Sequence, residues 1–339
     1  MAISISVTST ILTKSRSGTV NVNTDLNERK GVKIDTDKSN WNTPNYAEGI
    51  EFSKVGAGSI SIFIPEIADS FLELPYPADN NVSYELSTVY ATMPFRAFSD
   101  GGETLDSDMF IVKAGSKDNS VSSSHINGIL QGDGYRVKAS KSTRLCFSAK
   151  KTANADLTVT ATAYYSDGGS SSKSLFTISG SDNLIVNFAG GFDQIGLSDT
   201  NNNAVFYTIS IGNDIHYIDL KEGFEQTFTF FNKFGGFSNI VCYGIYQDEF
   251  KTTKEVAVVD EGYTQIIEKF NIHTKKHRTL STGYGVNWEV VHDFLQSEAI
   301  YTFIEDTWRK VIIDADSVKG EEQYNPGNFT FKYYDNVQA

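Results

Sequence analysis

Apolar residues recur at every second position over several stretches of this chain, and that period constrains its fold more than any other feature. Ile60, Ile62 and Ile64 alternate with Ser59, Ser61 and Phe63. Leu157, Val159, Ala161 and Ala163 alternate with threonines, and the turn-forming run SDGGSSS follows. Val205, Tyr207, Ile209 and Ile211 repeat the pattern, as do Phe329, Phe331 and Tyr333 near the C-terminus. A period of two is the signature of a strand with one face toward a core, because successive side chains point to opposite sides of a sheet. The strand-like runs are separated by Gly, Asn, Asp and Ser clusters, and the 23 Phe and 17 Tyr suit pleated, half-buried surfaces. The expectation is an all-β, predominantly antiparallel protein built from several sandwich or immunoglobulin-like units, with one short helix packed on the C-terminal sheet.

At 339 residues the chain is long for a single β domain. Composition shifts divide it into three expected units: a β domain over 1–135, an immunoglobulin-like sandwich over 136–224, and a C-terminal β domain over 225–339. Within the first unit, residues 14–49 are polar, charged and Asn-rich, which predicts a mobile arm or one ordered by a partner. In the third unit, Asn287 precedes WEVVHDFLQS as a helix N-cap, with Glu289 in the first turn. Val290, Val291, Phe294 and Leu295 then form one apolar stripe, predicting a helix over 288–296 with His292 and Asp293 on its solvated side.

Charge and hydropathy narrow the function classes. The net charge is −13, whereas a polyanion-binding protein needs a basic footprint. Neither nucleic acid nor an anionic lipid surface is therefore an expected partner. No apolar run approaches the roughly 18 residues of a membrane helix, so no membrane insertion is expected. The N-terminus alternates, with Ile3, Ile5 and Val7 against Ser4 and Ser6, and does not read as a secretory signal. On that expectation the sequons at Asn81 and Asn328 are chance matches. Cys146 and Cys242 sit inside apolar runs and read as reduced, buried small hydrophobes.

Candidate chemistry is sparse. Asp199, Asn201 and Asn203 have the spacing that opens a calcium loop, but Ala204 and Ser210 occupy the positions where Gly and Glu are needed, so a polar hairpin turn is expected. The histidines are His125, His216, His273, His277 and His292. Only His273 and His277 are closely spaced, with no third ligand nearby. Asp106 with Asp108 and Asp314 with Asp316 are acidic doublets of the kind that 42 acidic residues produce by chance. No G-x-S-x-G, Walker A, H-E-x-x-H or complete G-x-G-x-x-G is present. The expectation is a protein without catalytic residues, metal or cofactor.

Two features suggest contacts instead. Residues 136–151 carry Arg136, Lys138, Lys141, Arg144, Lys150 and Lys151 and no acid, a candidate surface for an acidic partner such as another copy. Lys275, Lys276 and Arg278 form a second basic cluster. Around FTFFNKFGGFSNIVCYG, two strand-like runs flank Gly235 and Gly236, which allow a sharp bend, and Asn232 can bond backbone groups there.

That last stretch resembles a pattern in virion proteins of Bacteroidetes phages and prophages, among them tail and collar proteins of crAss-like phages. There the pattern reads F-x-N-R-x-G-x-W. Here Lys233 stands for the Arg and Phe237 for the Trp. ISIFIPEIADSFLE is similar to the strand-to-helix segment of the same group, and LTVTATAYYSDGG to its central immunoglobulin-like strand and turn. KHRTLSTGYG and the terminal strands continue the similarity. The resemblance implies a non-enzymatic structural subunit of a tail, collar or baseplate. Such a subunit would be made in the host cytoplasm and located in the virion, where it forms a ring with other copies of itself and contacts other virion proteins. The alternative from a different class is a carbohydrate-binding or adhesion module of a phage fibre or bacterial surface, with aromatic residues stacking on sugars.

Overall fold

The computed structural model describes residues 3–7, 10–14, 19–77, 84–102, 104–116, 128–130, 136–151, 155–180, 184–199, 203–223, 226–243, 247–261, 264–283, 287–315 and 329–335. They form four β-sheets, mostly antiparallel, and two short α-helices.

The first sheet comprises β1 (Ser4–Val7), β2 (Thr10–Leu12), β3 (Thr19–Ile34), β4 (Ile50–Phe63), β6 (Tyr90–Ser99) and β7 (Thr104–Val112). Its order is β1-β3-β6-β7-β2, with β4 on the other side of β3. Much of the 14–49 window is therefore not an arm: its residues 19–34 are β3, which pairs with β1, β4 and β6 at the centre of the sheet, while 15–18 lie outside the described residues. The window is polar on average because only alternate positions face the core. Val20, Val22, Val32 and Ile34 are completely buried, while Asn23 and Lys33 lie on the other side. Where β3 bulges between Thr24 and Glu28, the buried Lys30 fills the gap, its Nζ donating to the carbonyls of Thr24 (3.2 Å) and Gly58 (2.7 Å). After β4 the chain enters a second short helix beyond the one expected in the C-terminal unit, α1 (Pro65–Asp69), with Pro at its start as helix geometry favours.

The second sheet runs β5 (Tyr84–Glu85), β13 (Leu184–Ala189), β10 (Cys146–Lys151), β8 (Gly128–Ile129). The third runs β12 (Ser170–Ile178), β11 (Leu157–Tyr165), β14 (Ala204–Ile211), β15 (Asp214–Leu220), β9 (Arg136–Ala139). These two sheets pack face to face: Phe147, Ala149 and Phe188 of the second share one cluster with Val159, Ala161, Tyr207 and Ile209 of the third.

The fourth sheet has the order β17 (Phe237–Cys242), β16 (Gln226–Phe231), β20 (Ile300–Ile304), β21 (Thr307–Asp314), β22 (Thr330–Asp335), β19 (Thr264–Ser281), β18 (Gln247–Glu261). Helix α2 (Trp288–Gln296) lies across it. Its N-cap is Asn287, whose side chain accepts the Glu289 amide. Phe294 enters the sheet edge-on, with ring centroids 6.0 Å from Phe228, 5.4 Å from Phe230 and 5.3 Å from Phe331.

The cores do not follow the boundaries at 135 and 224. The sandwich cluster continues into Phe228, Phe230, Phe294 and Phe331 of the C-terminal segment. A second cluster joins Leu12 and Phe110 to Cys146 and Ile185 and to Phe231, Phe237 and Tyr301, which draws on all three segments.

Candidate functional site

The connection between β16 and β17 is where the segments meet, and Asn232 organises it. Its Oδ1 accepts the amides of Phe234 (2.9 Å) and Gly236 (3.0 Å), closing the turn from within. Its Nδ2 donates to the Leu130 carbonyl (2.6 Å) and to Ser238 Oγ (2.8 Å). Its own carbonyl accepts the Gly115 amide at 2.8 Å, tying in the strand exit after β7. Gly235 holds φ at +82°, and a Cβ there would stand 2.5 Å from Val112 Cγ1 and 2.7 Å from the Lys113 carbonyl. At Gly236 a Cβ would stand 2.6 Å from Leu130 Cβ and 2.8 Å from Ser148 Cβ. The glycines thus serve two needs: a left-handed backbone, and contact with neighbouring segments too close for a side chain.

Beside this corner, Asn239 of β17 turns its amide toward β10 and acts as a strand neighbour would. Its Oδ1 accepts the Cys146 amide (3.1 Å) and its Nδ2 donates to the Cys146 carbonyl (2.8 Å). Ser148 Oγ accepts the Phe237 amide at 2.9 Å, a further link between β10 and β17. Asp293 of α2, expected on a solvated face, is 6% exposed. It accepts the Lys233 amide at 3.1 Å and the Ser116 hydroxyl, pinning the corner to the helix. His292 does lie on the exposed side, next to Gln296. Asp293 and Asn239 were missed as anchors. Only Asn239 left a signal, as an amide side chain inside a mostly apolar strand.

The basic run does not form a patch. Lys150 and Lys151, at 2% and 0% exposure, lie inside, because β10 has a core on each face: Phe147 and Ala149 on one, Cys146 on the other. The Lys150 ammonium sits over the Phe110 ring, 4.7 Å from its centroid, and burial pulls its pKa down to about 8. Lys151 donates to the Gly180 carbonyl. Arg136 pairs with Asp219 at 2.8 Å, and Lys141 pairs with Asp199. Arg144 lies over Phe303, 4.1 Å from the ring centre, and Lys138 is on the exposed side of β9. Strand alternation and folding between two cores disperse what is contiguous in sequence.

The remaining candidates have structural partners too. Asp199 accepts the Ala204 amide at 2.9 Å, but the expected hairpin turn is not there: β13 before this segment and β14 after it belong to different sheets, so the segment is a crossover between them. Arg96 clamps Asp106 in a two-pronged contact (2.6 and 2.8 Å), holding its carboxyl below the usual range. His216 is buried against the edge of Phe147, and loss of water pulls its pKa down to about 4. Both cysteines are free and buried, and burial pushes the Cys242 thiol far up. His273 and His277 lie on β19. His125, Asn201, Asp316 and both sequon asparagines lie outside the described residues. Among the described residues no three or more His, Cys, Asp or Glu converge on a metal-sized site, and no helix is long and apolar enough to cross a membrane. A cavity of about 310 Å³ opens between Lys141, Ser142, Asp193 and Glu222, and no aromatic ring lines it.

No family model matches the chain, and no curated protein matches it either.

Proposed function

We propose that this chain is a non-enzymatic structural protein of a virion, of the tail, collar or baseplate kind that its sequence resembles, working through contacts with other subunits. The observation that carries the proposal is the use made of buried polar side chains. Asn232, Asn239 and Asp293 are each spent on backbone groups of another segment, joining sheets into one body. Polar groups committed in this way rigidify a scaffold and are not available to a substrate. The carbohydrate-binding alternative has less support. Among the described residues the exposed aromatics Phe63, Tyr76, Tyr217 and Trp288 are scattered over β4, a loop, β15 and α2, and the polar cavity beside Lys141 and Glu222 has no ring for a sugar to stack on. The test is quantitative mass spectrometry of purified phage particles from a host that carries this gene. The protein is expected at a fixed stoichiometry to the major capsid protein. Its absence from intact particles overturns the proposal.

A further inference from the structure

We propose that β4, the open edge of the first sheet, pairs antiparallel with β4 of a second copy of this chain, about a two-fold axis at Gly56. Among the described residues β4 pairs only with β3, from Ile50 opposite Ile34 to Phe63 opposite Thr19. An antiparallel strand with one neighbour turns the N–H and C=O of every second residue away from it, so this strand of 14 residues leaves about half of its backbone groups facing outward. Such an edge recruits another strand unless charge, proline, a bulge, short length or a cover blunts it. The other edges are treated in that way. β17 is covered by β10 through Asn239 and Ser148. β12 has a bulge against β11 and carries Lys173, and β18 has seven charged residues among its 15. The remaining edge strands have four residues or fewer. β4 has no proline and only two charged residues, Glu51 and Lys54, with none over 55–63. Its irregular pairing with β3 places the extra residues on β3, so β4 itself runs on unbroken.

The strand's own sequence says which partner. With Gly56 on the axis, Ile50 falls opposite Ile62 and Phe52 opposite Ile60, on the core side of the sheet that they share with Val20, Val22, Val32 and Ile34. That core is unfinished at the edge: Ile50 is 44% exposed, and Phe52 and Ile60 pack against it only partly buried. The same side chains of a second copy continue it across the axis. On the other face Val55, 73% exposed, falls opposite Ala57, and Glu51 opposite Ser61. Lys54 meets Gly58, which has no Cβ and is open on that side: a Cβ built there would find no atom within 4 Å. No charge therefore opposes a like charge, and Glu51 and Lys54 cancel, so the net charge of −13 is not gathered at the contact. Gly56 has no explanation among the described residues, since its φ is not positive and a Cβ there would also meet nothing within 4 Å. A glycine inside a strand often marks the close approach of another backbone, and here that backbone is its own copy's. The contact is isologous and closes after two copies. The inference names a partner for the structural protein proposed above and rests on that reading only for its place in a particle.

The experiment is sedimentation velocity on the purified full-length protein over a range of concentrations. Runs are made at ionic strengths of about 0.1 M and about 1 M, between which the screening length falls from about 10 Å to about 3 Å. A dimer is expected in both, because backbone hydrogen bonds and apolar contacts hold it. The double variant Val55→Glu, Ala57→Glu sets Glu against Glu twice across the axis. It is expected to be monomeric at about 0.1 M with an unchanged circular dichroism spectrum, since both positions are exposed. The variant Val55→Glu, Ala57→Lys sets Glu against Lys at the same two places and is expected to dimerise again. Four results overturn the inference: a wild-type monomer at every concentration, a dimer that survives the two glutamates, a Glu/Lys variant that stays monomeric, or open-ended growth in place of a closed dimer. A β4 edge completed instead by a strand of another protein gives the first of these. None of them depends on whether the protein is found in particles, so the two proposals fail separately.

Discussion

Lys150 carries a charge into a place that removes its water, where the face of Phe110 lies 4.7 Å from its ammonium. Its pKa is lowered to about 8, whereas in an unfolded chain it would sit near 10.5. Below pH 8 the group is charged in both states and the folded protein bears the whole penalty. Between about 8 and 10.5 the unfolded chain holds more protons, so this residue makes stability rise with pH. Lys150→Met is expected to raise stability at pH 7 by about 1–3 kcal/mol and to remove that rise, as read from melting temperature against pH. His216 works in the opposite range. Its pKa near 4 lies below the unfolded value of about 6.5, so its contribution is complete above pH 6.5 and is lost as pH falls toward 4. The loss is expected to approach about 3 kcal/mol and to be absent in His216→Phe, measured by denaturant unfolding across that range. Neither environment was readable in the sequence. Lys150 looked like one of six cations in a surface run, and nothing near it in the chain announces that β10 lies between two cores.

Elements whose signals are local were readable, and those defined by distant partners were not. Helix α2 starts and ends where its cap and apolar stripe placed it, because Asn287, Glu289 and Phe294 lie within about two turns of one another. The partners of Asp293 are 60 and 177 residues away, so its burial had no local trace. The same holds for β3, whose polar average hid four fully buried apolar positions. Phe294→Ala is expected to cost about 3–5 kcal/mol, since the ring is the point where α2 meets β16 and β22. A drop in the urea midpoint with an unchanged slope would confirm it, and a change under about 1 kcal/mol would show that the helix packs without it. At the corner, Gly235→Ala faces both the left-handed backbone and the Val112 methyl 2.5 Å away. It is expected to destabilise by about 2 kcal/mol or more, where Gly→Ala at the open, positive-φ Gly212 costs only the backbone strain of about 1 kcal/mol.

At the scale of the whole molecule, composition suggested three units joined in series, and the contacts run across them. The second sheet takes β5 and β8 from before residue 136, and Asn232 and Asn239 reach partners 102 and 93 residues earlier. Such contacts make the segments stabilise one another, since removing one leaves buried amides unpaired and a large apolar face in water. Residues 136–224 expressed alone would lack β5 and β8 and would expose Cys146 and Ile185, which face the rest of the chain. The fragment is therefore expected to aggregate or to lack a dispersed NMR spectrum. The intact chain is expected to melt in one transition, its calorimetric enthalpy matching the van 't Hoff value despite its length. Two resolved transitions, or a 136–224 fragment that folds and melts cooperatively, would show instead that the shared clusters are late contacts between independent units. The ribbon of β18 and β19 separates the two outcomes further. Among the described residues its strand pairing with the body is confined to residues 278–281, so truncating it to a short turn at 249–277 is expected to leave the main transition in place.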